Sequence, residues 1–352
     1  MKSITCLKDP YVIELRDEHV RLIRASDILL IQLSDGLKPF AYKVMDCLRK
    51  INSDVRIVVE ISSIYGACDL HLETISALNP SLIIHIGHNK YPSNLGSVLG
   101  LEKVLSKTIF IPAYSTRRIP NYTIENLAGI LRDIGAKKVS IVGTIQHVKE
   151  LPRTASQLVK KGIDAVIPEP RFNEMEKGQI LGCDYSAISR IENLVDAHVL
   201  MSGGDFHYIG ALLSSSKPVI KIDPYTGEVL YDRWARDKIL RRRYYRILQA
   251  MNADSFGLII GSKTGQYRPW LINALKNILE DRGKSYREFI IADLSKNALL
   301  NIDSTYIDAY IVTSCPRLPI DDLNDFHKPV LTPGEATMAI KQCSNEYKFP
   351  WL

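Results

Sequence analysis

The chain has no Cys-x-x-Cys pair, no long apolar run and no strong excess of either charge. Zinc-finger spacing and the compact iron–sulfur run of closely spaced cysteines are therefore both absent. No apolar stretch approaches the ~20 residues that a membrane-spanning helix needs. The formal charge of +6 on 352 residues permits an acidic partner without demanding nucleic acid or a membrane surface. Six cysteines are too few for a disulfide scaffold in a chain of this size, so buried, catalytic or metal-bound roles are expected. Charges of both signs near the start (Lys2, Lys8, Asp9, Glu14, Arg16, Asp17) do not read as a signal peptide. The expected compartment is the cytoplasm.

What is present is an alternation of short apolar runs with helical patterns. The 352 residues exceed one ordinary core, so two or three domains are expected. Residues from Met1 to about Ala25 read as a helical lead-in. Strands are predicted at Ile28–Leu33, Val55–Val59, Leu82–Ile86 and Thr108–Ile111. A second set follows at Val139–Val142, Ala165–Ile167, Ala197–Met201 and Pro218–Ile222. A third lies at Leu258–Ile260, Phe289–Ala292, Ala309–Val312 and Val330–Leu331. Helices between successive strands argue for parallel α/β layers. The openings of the second and third sets resemble each other: a strand, a glycine, a hydroxyl residue and then a glutamine (Gly143-Thr144-Ile145-Gln146; Gly261-Ser262-Lys263-Thr264-Gly265-Gln266). Three related domains are expected, 1–135, 136–253 and 254–352.

Each set carries one cysteine in a distinctive setting. Cys315 follows an apolar strand that Pro316 terminates, because proline cannot donate to a ladder. It thus falls at the carboxyl end of a strand, where open α/β sheets bind ligands. Arg317 beside it favours the thiolate. Cys68 lies in Tyr65-Gly66-Ala67-Cys68-Asp69 and Cys183 in Leu181-Gly182-Cys183-Asp184-Tyr185. Three thiolates delivered from corresponding sheet edges suit an iron–sulfur cluster with one iron left open. The plainer alternative is three buried structural cysteines, since cysteine is commonly buried. Cys6, Cys47 and Cys343 lack such settings and read as ordinary thiols.

Other motifs carry less. Gly261-Ser262-Lys263-Thr264 is not a phosphate loop, which needs Gly-Lys-Ser/Thr in succession with another glycine upstream. It remains a short turn able to bring backbone N–H groups to a ligand. His85 and His88 sit at strand-end spacing, as metal ligands, substrate contacts or hydrogen-bonded structure. Ser202-Gly203-Gly204-Asp205-Phe206-His207 is a polar turn or a plain connection. A long helix is expected with Leu240, Tyr244, Ile247, Leu248 and Met251 on one stripe. Arg241, Arg242, Arg243 and Arg246 read as its solvated basic face, with docking of an acidic partner as the minority alternative.

Taken in order, many short segments together resemble one family, the archaeal diphthamide-synthesis enzymes that transfer a 3-amino-3-carboxypropyl group. They are Gln32–Lys38, Tyr65–Asp69, His85–His88, Gly178–Cys183, Gly203 to His207, Asp223–Tyr225, Gly261–Gln266, Ser314–Arg317, Ile320–Asp322 and Leu331–Glu335. The resemblance spans nearly the whole chain. It implies three α/β domains, each a small parallel sheet flanked by helices, set pseudo-threefold around a central 4Fe-4S cluster. It assigns the cluster ligands to Cys68, Cys183 and Cys315. It implies S-adenosylmethionine at the open iron, radical transfer to C2 of a histidine imidazole in translation elongation factor 2, and release of methylthioadenosine. A homodimer and an external electron donor are implied too, with no membrane and no direct nucleic-acid role. Gly143-Thr144 and Gly261-Ser262 are candidate strand ends for nucleoside and carboxylate. Asp35, His88, Asp205, His207, Gln266 and Arg317 are the polar candidates. Two places depart from the family pattern: Tyr208 stands where relatives carry proline after Phe206-His207, and Ile61–Ile64 lacks a proline. Both bear on loop shape and neither on the cysteines.

Two alternatives share features with this reading. A quinolinate-synthase-like lyase also sets three distant cysteines among three similar domains. A non-catalytic elongation-factor-binding or electron-relay subunit would keep a cluster without meeting the substrate.

Overall fold

A computed structural model describes residues 3–92, 101–343 and 346–352. Three four-membered parallel arrangements organise it. In the first, Arg56–Glu60, Ile28–Leu33, Leu82–Ile86 and Thr108–Ile111 lie side by side in that order. In the second the order is Asp164–Val166, Lys138–Gly143, Ala197–Met201 and Val219–Ile222, extended by the antiparallel Val229–Leu230. In the third it is Ser285–Ile291, Ser255–Gly261, Ala309–Val312 and Val330–Leu331. Each of these three sheets thus runs second-first-third-fourth in chain order. The order reverses beside the first strand, and the carboxyl ends there form the crevice in which open α/β sheets hold ligands.

The likeness extends to the connections. Ile28–Leu33 passes through Ser34 into a 3₁₀ turn, Asp35–Phe40, and then a helix, Ala41–Ile51. Lys138–Gly143 passes through Thr144 into the 3₁₀ turn Ile145–Glu150 and the helix Leu151–Val159. The central strands are apolar on both faces, as parallel strands covered by helices must be: Leu29, Leu30, Ile31 and Leu33 are all buried, and so are Val139, Ile141 and Val142. The helix before each first strand packs into the core of the sheet that follows it. Val20 and Ile23 join the first core, Ile124, Leu127 and Leu131 the second, and Ile247 and Ala250 the third. No described helix is long and apolar enough to cross a membrane.

Three expectations need correction. The first 25 residues are not a helical lead-in. Ile4–Leu7 and Tyr11–Leu15 pair antiparallel, and Tyr114–Ser115 joins their edge, before the helix Asp17–Arg24 begins. The alternation was present in Tyr11–Leu15: Ile13 and Leu15 are buried while Glu14 is exposed, the period of two that marks a half-buried strand.

Cys6 and Cys47 are not ordinary thiols. They form a disulfide across 41 residues of chain, tying Ile4–Leu7 to the helix Ala41–Ile51. A loop of that length contributes about 4 kcal/mol by restricting the unfolded chain. Cys6→Ser should therefore lower unfolding free energy by up to about that amount in a denaturant titration, with the cysteines of the central cavity untouched.

The basic helix face is also different. In the helix Ala235–Met251, Ile247, Tyr244 and Met251 of the expected stripe do face the third core, but Leu248 is 59% exposed and Arg243, expected on the solvated face, is 1% exposed. Arg243 reaches Glu335 at 2.7 Å through both Nε and Nη2 and donates further to the carbonyls of Pro319 and Val330. Arg246 donates to the carbonyls of Asn324 and Phe326. These two arginines pin the helix to the third sheet; Arg241 and Arg242 stay at the surface.

Candidate active site

Cys68, Cys183 and Cys315 all line one cavity of about 210 Å³. None is in a disulfide. They reach it by unequal routes. Cys68 follows the second strand of its sheet, Arg56–Glu60, and Cys183 follows the second strand of its own, Asp164–Val166. Cys315 instead follows the third strand, Ala309–Val312. The positions equivalent to Cys315 in the other two sheets are taken by Gly87-His88 and Ser202-Gly203. The corresponding-edge expectation thus holds for two cysteines and fails for the third, which explains why Cys183 and Cys315 are further apart in sequence than Cys68 and Cys183.

Local structure fixes each thiol. The strand ends at Val312, three residues before Cys315, and after Pro316, Leu318–Asp322 forms a single π-helical turn, with Leu323 N–H donating to Leu318 O at 2.7 Å. Such turns recur at functional sites. The Cys68 loop is held by the turn that resembled a phosphate loop: Gly265 N–H and the Thr264 hydroxyl both donate to Cys68 O, at 2.8 and 3.0 Å. A Cβ on Gly265 would sit 2.5 Å from Cys68 Cβ, so only glycine fits. That turn clamps protein backbone, and Gly261 and Ser262 are not among the described residues lining the cavity. Lys263, buried beside it, pairs with Asp69 at 2.8 Å and Asp293 at 2.6 Å. Cys183 is held from behind, where the Trp351 indole N–H donates to Cys183 O at 3.1 Å.

The first and second sheets meet over the cavity through Gln146 Nε2, which donates to Gly87 O at 3.3 Å, and Asn89 Nδ2, which donates to Gln179 Oε1 at 3.0 Å. Arg268 ties the third sheet to the first. Buried to 1% exposure, it donates to the carbonyls of Gln266, Thr313 and Ser314, to the Tyr91 hydroxyl at 3.0 Å, and lies 4.2 Å over the Trp351 ring. Tyr91 Oη in turn lies 3.5 Å from Cys183 Sγ. A guanidinium with no carboxylate partner among the described residues, beside buried thiols, favours negative charge there. Neither Arg268 nor Tyr91 stood out in the sequence. An isolated Arg-Pro and an isolated Tyr-Pro carry no pattern, and only tertiary contact reveals them.

Burial is the main influence on the thiols. It pushes Cys68 and Cys183 up, and Cys315 up to about 11. Cys68 is raised further by the charges of Cys183 and Cys315. Among the described residues, no three His, Cys, Asp or Glu side chains converge tightly enough for a single metal ion. Three soft sulfur donors distributed around a cavity, with a buried cation beside them, fit a multinuclear iron–sulfur centre better than one zinc.

Of the polar candidates, His88, Thr144, His207 and Arg317 line the same cavity. Gln266 Nε2 lies 3.8 Å from Cys68 Sγ. Asp35, Gly143 and Asp205 are not among the described residues lining it. Asp35 accepts from Lys38 and from Ile64 N–H, bracing the approach to Cys68. Asp205 is exposed and pairs with Lys221. Gly143 lets its strand approach Met201, whose carbonyl would lie 3.0 Å from an added Cβ.

Residues 33–350 match the family described as "Putative diphthamide synthesis protein". The chain belongs to the diphthamide synthesis family. It is 30% identical over 322 residues to the 2-(3-amino-3-carboxypropyl)histidine synthase of Pyrococcus horikoshii, covering 91% of this chain and 87% of that one. To subunit 1 of the human enzyme of that name it is 26% identical, covering 91% of this chain and 69% of the relative. Its fold matches the crystal structure of Dph2 from Pyrococcus horikoshii with a 4Fe-4S cluster, with a TM-score of 0.79 at 26% identity, covering 95% of this chain and 92% of that one. The relatives of this family that it matches are named as 2-(3-amino-3-carboxypropyl)histidine synthases, so the lyase and relay alternatives fall away.

Proposed function

We propose that the chain is a 2-(3-amino-3-carboxypropyl)histidine synthase that moves the 3-amino-3-carboxypropyl group of S-adenosylmethionine to C2 of a histidine imidazole in translation elongation factor 2. The observation that carries this reading is the convergence of three unpaired cysteines, from three similar sheets, on one cavity. Cys68, Cys183 and Cys315 would hold a 4Fe-4S cluster. Such a cluster, when bound, supplies the low-potential electron for breaking a sulfonium carbon–sulfur bond. The absence of a fourth thiol leaves room for the co-substrate at the remaining iron.

The chain's own residues bind and enclose. Arg317, over the Phe206 ring at 5.8 Å, offers a fork for the carboxylate of the aminocarboxypropyl group. Thr144, His207 and Gln266 are the other contacts we assign to S-adenosylmethionine, with Gly143 shaping the strand end that carries Thr144. Asp35, Asp205, Gly261 and Ser262 we reassign to holding the loops around the cavity. Contacts between the sheets around the cavity would limit water at the site, which protects a reactive carbon centre from quenching. We read the three sheets as three related domains, the working unit as a homodimer, the electron source as an external donor and the compartment as the cytoplasm.

Anaerobically reconstituted protein, dithionite, S-adenosylmethionine and elongation factor 2 should yield a histidine peptide carrying the added group by mass spectrometry, with methylthioadenosine in equal amount. A quantitatively unmodified peptide from a fully cluster-loaded chain would refute the reading.

A further inference from the structure

The strand Leu82–Ile86 is apolar except for His85, and the neighbouring strand Ile28–Leu33 is apolar except for Gln32. Both polar side chains are fully buried. They form a line that ends at the cavity. Gln32 Oε1 lies 3.4 Å from His85 Nδ1, and His85 Nε2 lies 3.0 Å from His88 Nδ1. Burying such a chain is costly unless its members satisfy one another. A leucine at position 85 would fill a core site of this kind without that cost.

With Gln32 Oε1 turned to the ring and its Nε2 left without a partner among the described residues, the line sets one proton arrangement. In this orientation Gln32 Oε1 can only accept, so His85 carries its proton on Nδ1. His85 Nε2 then has only a lone pair, and it accepts from His88 Nδ1–H. A neutral His88 protonated at Nδ1 has a bare Nε2, and that nitrogen has no hydrogen-bond partner among the described residues of the cavity wall. Burial keeps the ring neutral by lowering its pKa to about 4, against the opposing pull of Asp69. His207, on the same cavity, is the rival base. It has no orienting relay among the described residues; burial lowers its pKa to about 4, as it does for His88, and the neighbouring Arg317 adds to that lowering.

We propose that His88 Nε2 accepts the proton that the substrate imidazole loses from C2, with His85 and Gln32 as positioning residues. This rests on the transfer reading above. Over the whole transfer the electrons balance. The sulfonium carbon–sulfur bond breaks with its pair left on sulfur, and a carbon–carbon bond forms at C2. The C2–H bond gives its pair back to the ring as the hydrogen leaves as a proton. No net oxidant or reductant is consumed, but the proton needs an acceptor. Once C2 is tetrahedral the ring regains aromaticity by giving back the one electron lent for the cleavage and losing that proton, so a weak base held in place suffices. His88 becomes an imidazolium whose Nδ1–H still donates to His85.

Two readouts test this. In the protein as isolated, nitrogen-15 resonance of the histidines should show a pyridine-type Nε2 and a pyrrole-type Nδ1 for His88, an arrangement lost in Gln32→Leu. The opposite tautomer in the wild-type chain would overturn the proposal. In anaerobic single turnovers, cluster-loaded His88→Gln should release methylthioadenosine within about twofold of wild type while the ratio of modified histidine to methylthioadenosine falls at least tenfold. Substrate deuterated at C2 should then show a primary isotope effect larger than in wild type. Gln32→Leu, which leaves His88 in place, should lower the same ratio by a smaller factor. An unchanged ratio in a cluster-loaded His88→Gln would overturn the proposal. Wild-type protein that releases no methylthioadenosine would instead overturn the transfer reading itself, and with it this assignment.

Discussion

Cys183→Ala is expected to lose its iron and, with it, transfer activity by more than about 100-fold, which is the upper range for losing even an outer-shell partner of a metal ligand. The reason lies in the cavity. Cys183 is the second sheet's cysteine on it, and its loop is braced on both sides, by Tyr91 at the sulfur and by Trp351 at the carbonyl. The other two thiols approach from different sheets and do not move into the gap without disturbing Gly265 or the π-helical turn after Cys315. Cys68→Ala and Cys315→Ala should behave alike. Cys343→Ala should match the wild type, because Cys343 is exposed and is not among the described residues lining the cavity. Iron analysis beside the mass-spectrometric transfer assay checks all four. Normal iron content in Cys183→Ala would contradict the arrangement.

Arg243→Ala is expected to destabilise the chain by about 3–5 kcal/mol, the range for stranding one partner of a buried ion pair. Glu335 is fully buried. It also accepts from Thr332 N–H at the start of its helix and from the Tyr347 hydroxyl. Losing the guanidinium leaves that carboxylate uncompensated and frees the carbonyls of Pro319 and Val330. Replacing both partners, Arg243→Met with Glu335→Leu, should recover only part of the loss. An apolar pair removes the buried charge, but the helix start and Tyr347 stay without their acceptor. Equilibrium denaturation of the three proteins checks this. A double variant as stable as the wild type would mean that the capping and tyrosine contacts contribute nothing.

The sheets were legible because parallel strands covered on both faces must be largely apolar. Leu82–Ile86, Ala197–Met201 and Ala309–Val312 begin and end where their apolar runs do. The cysteines were legible for a related reason, since a glycine-flanked or proline-stopped cysteine at a strand end has few structural excuses. What escaped was set by tertiary contact. Arg243 looked like one charge in a basic run, and only Glu335, 92 residues away, makes it a core residue. Cys6 and Cys47 carry no local sign of each other. Gly261 to Gly265 reads as a turn facing a ligand, but the group that Thr264 and Gly265 meet is the Cys68 backbone, which no local pattern encodes. Arg268 had no signal at all, because its role consists entirely of carbonyls and rings brought from elsewhere in the chain.

The account stands on Cys68, Cys183 and Cys315 serving one shared inorganic centre. Iron and acid-labile sulfide counted per chain, after anaerobic reconstitution of the wild type and the three alanine variants, test that directly. The account predicts four of each in the wild type, the composition of a 4Fe-4S cluster, and a marked loss of both in every variant. A single metal ion without sulfide, or full occupancy after removal of any one of the three cysteines, would contradict it.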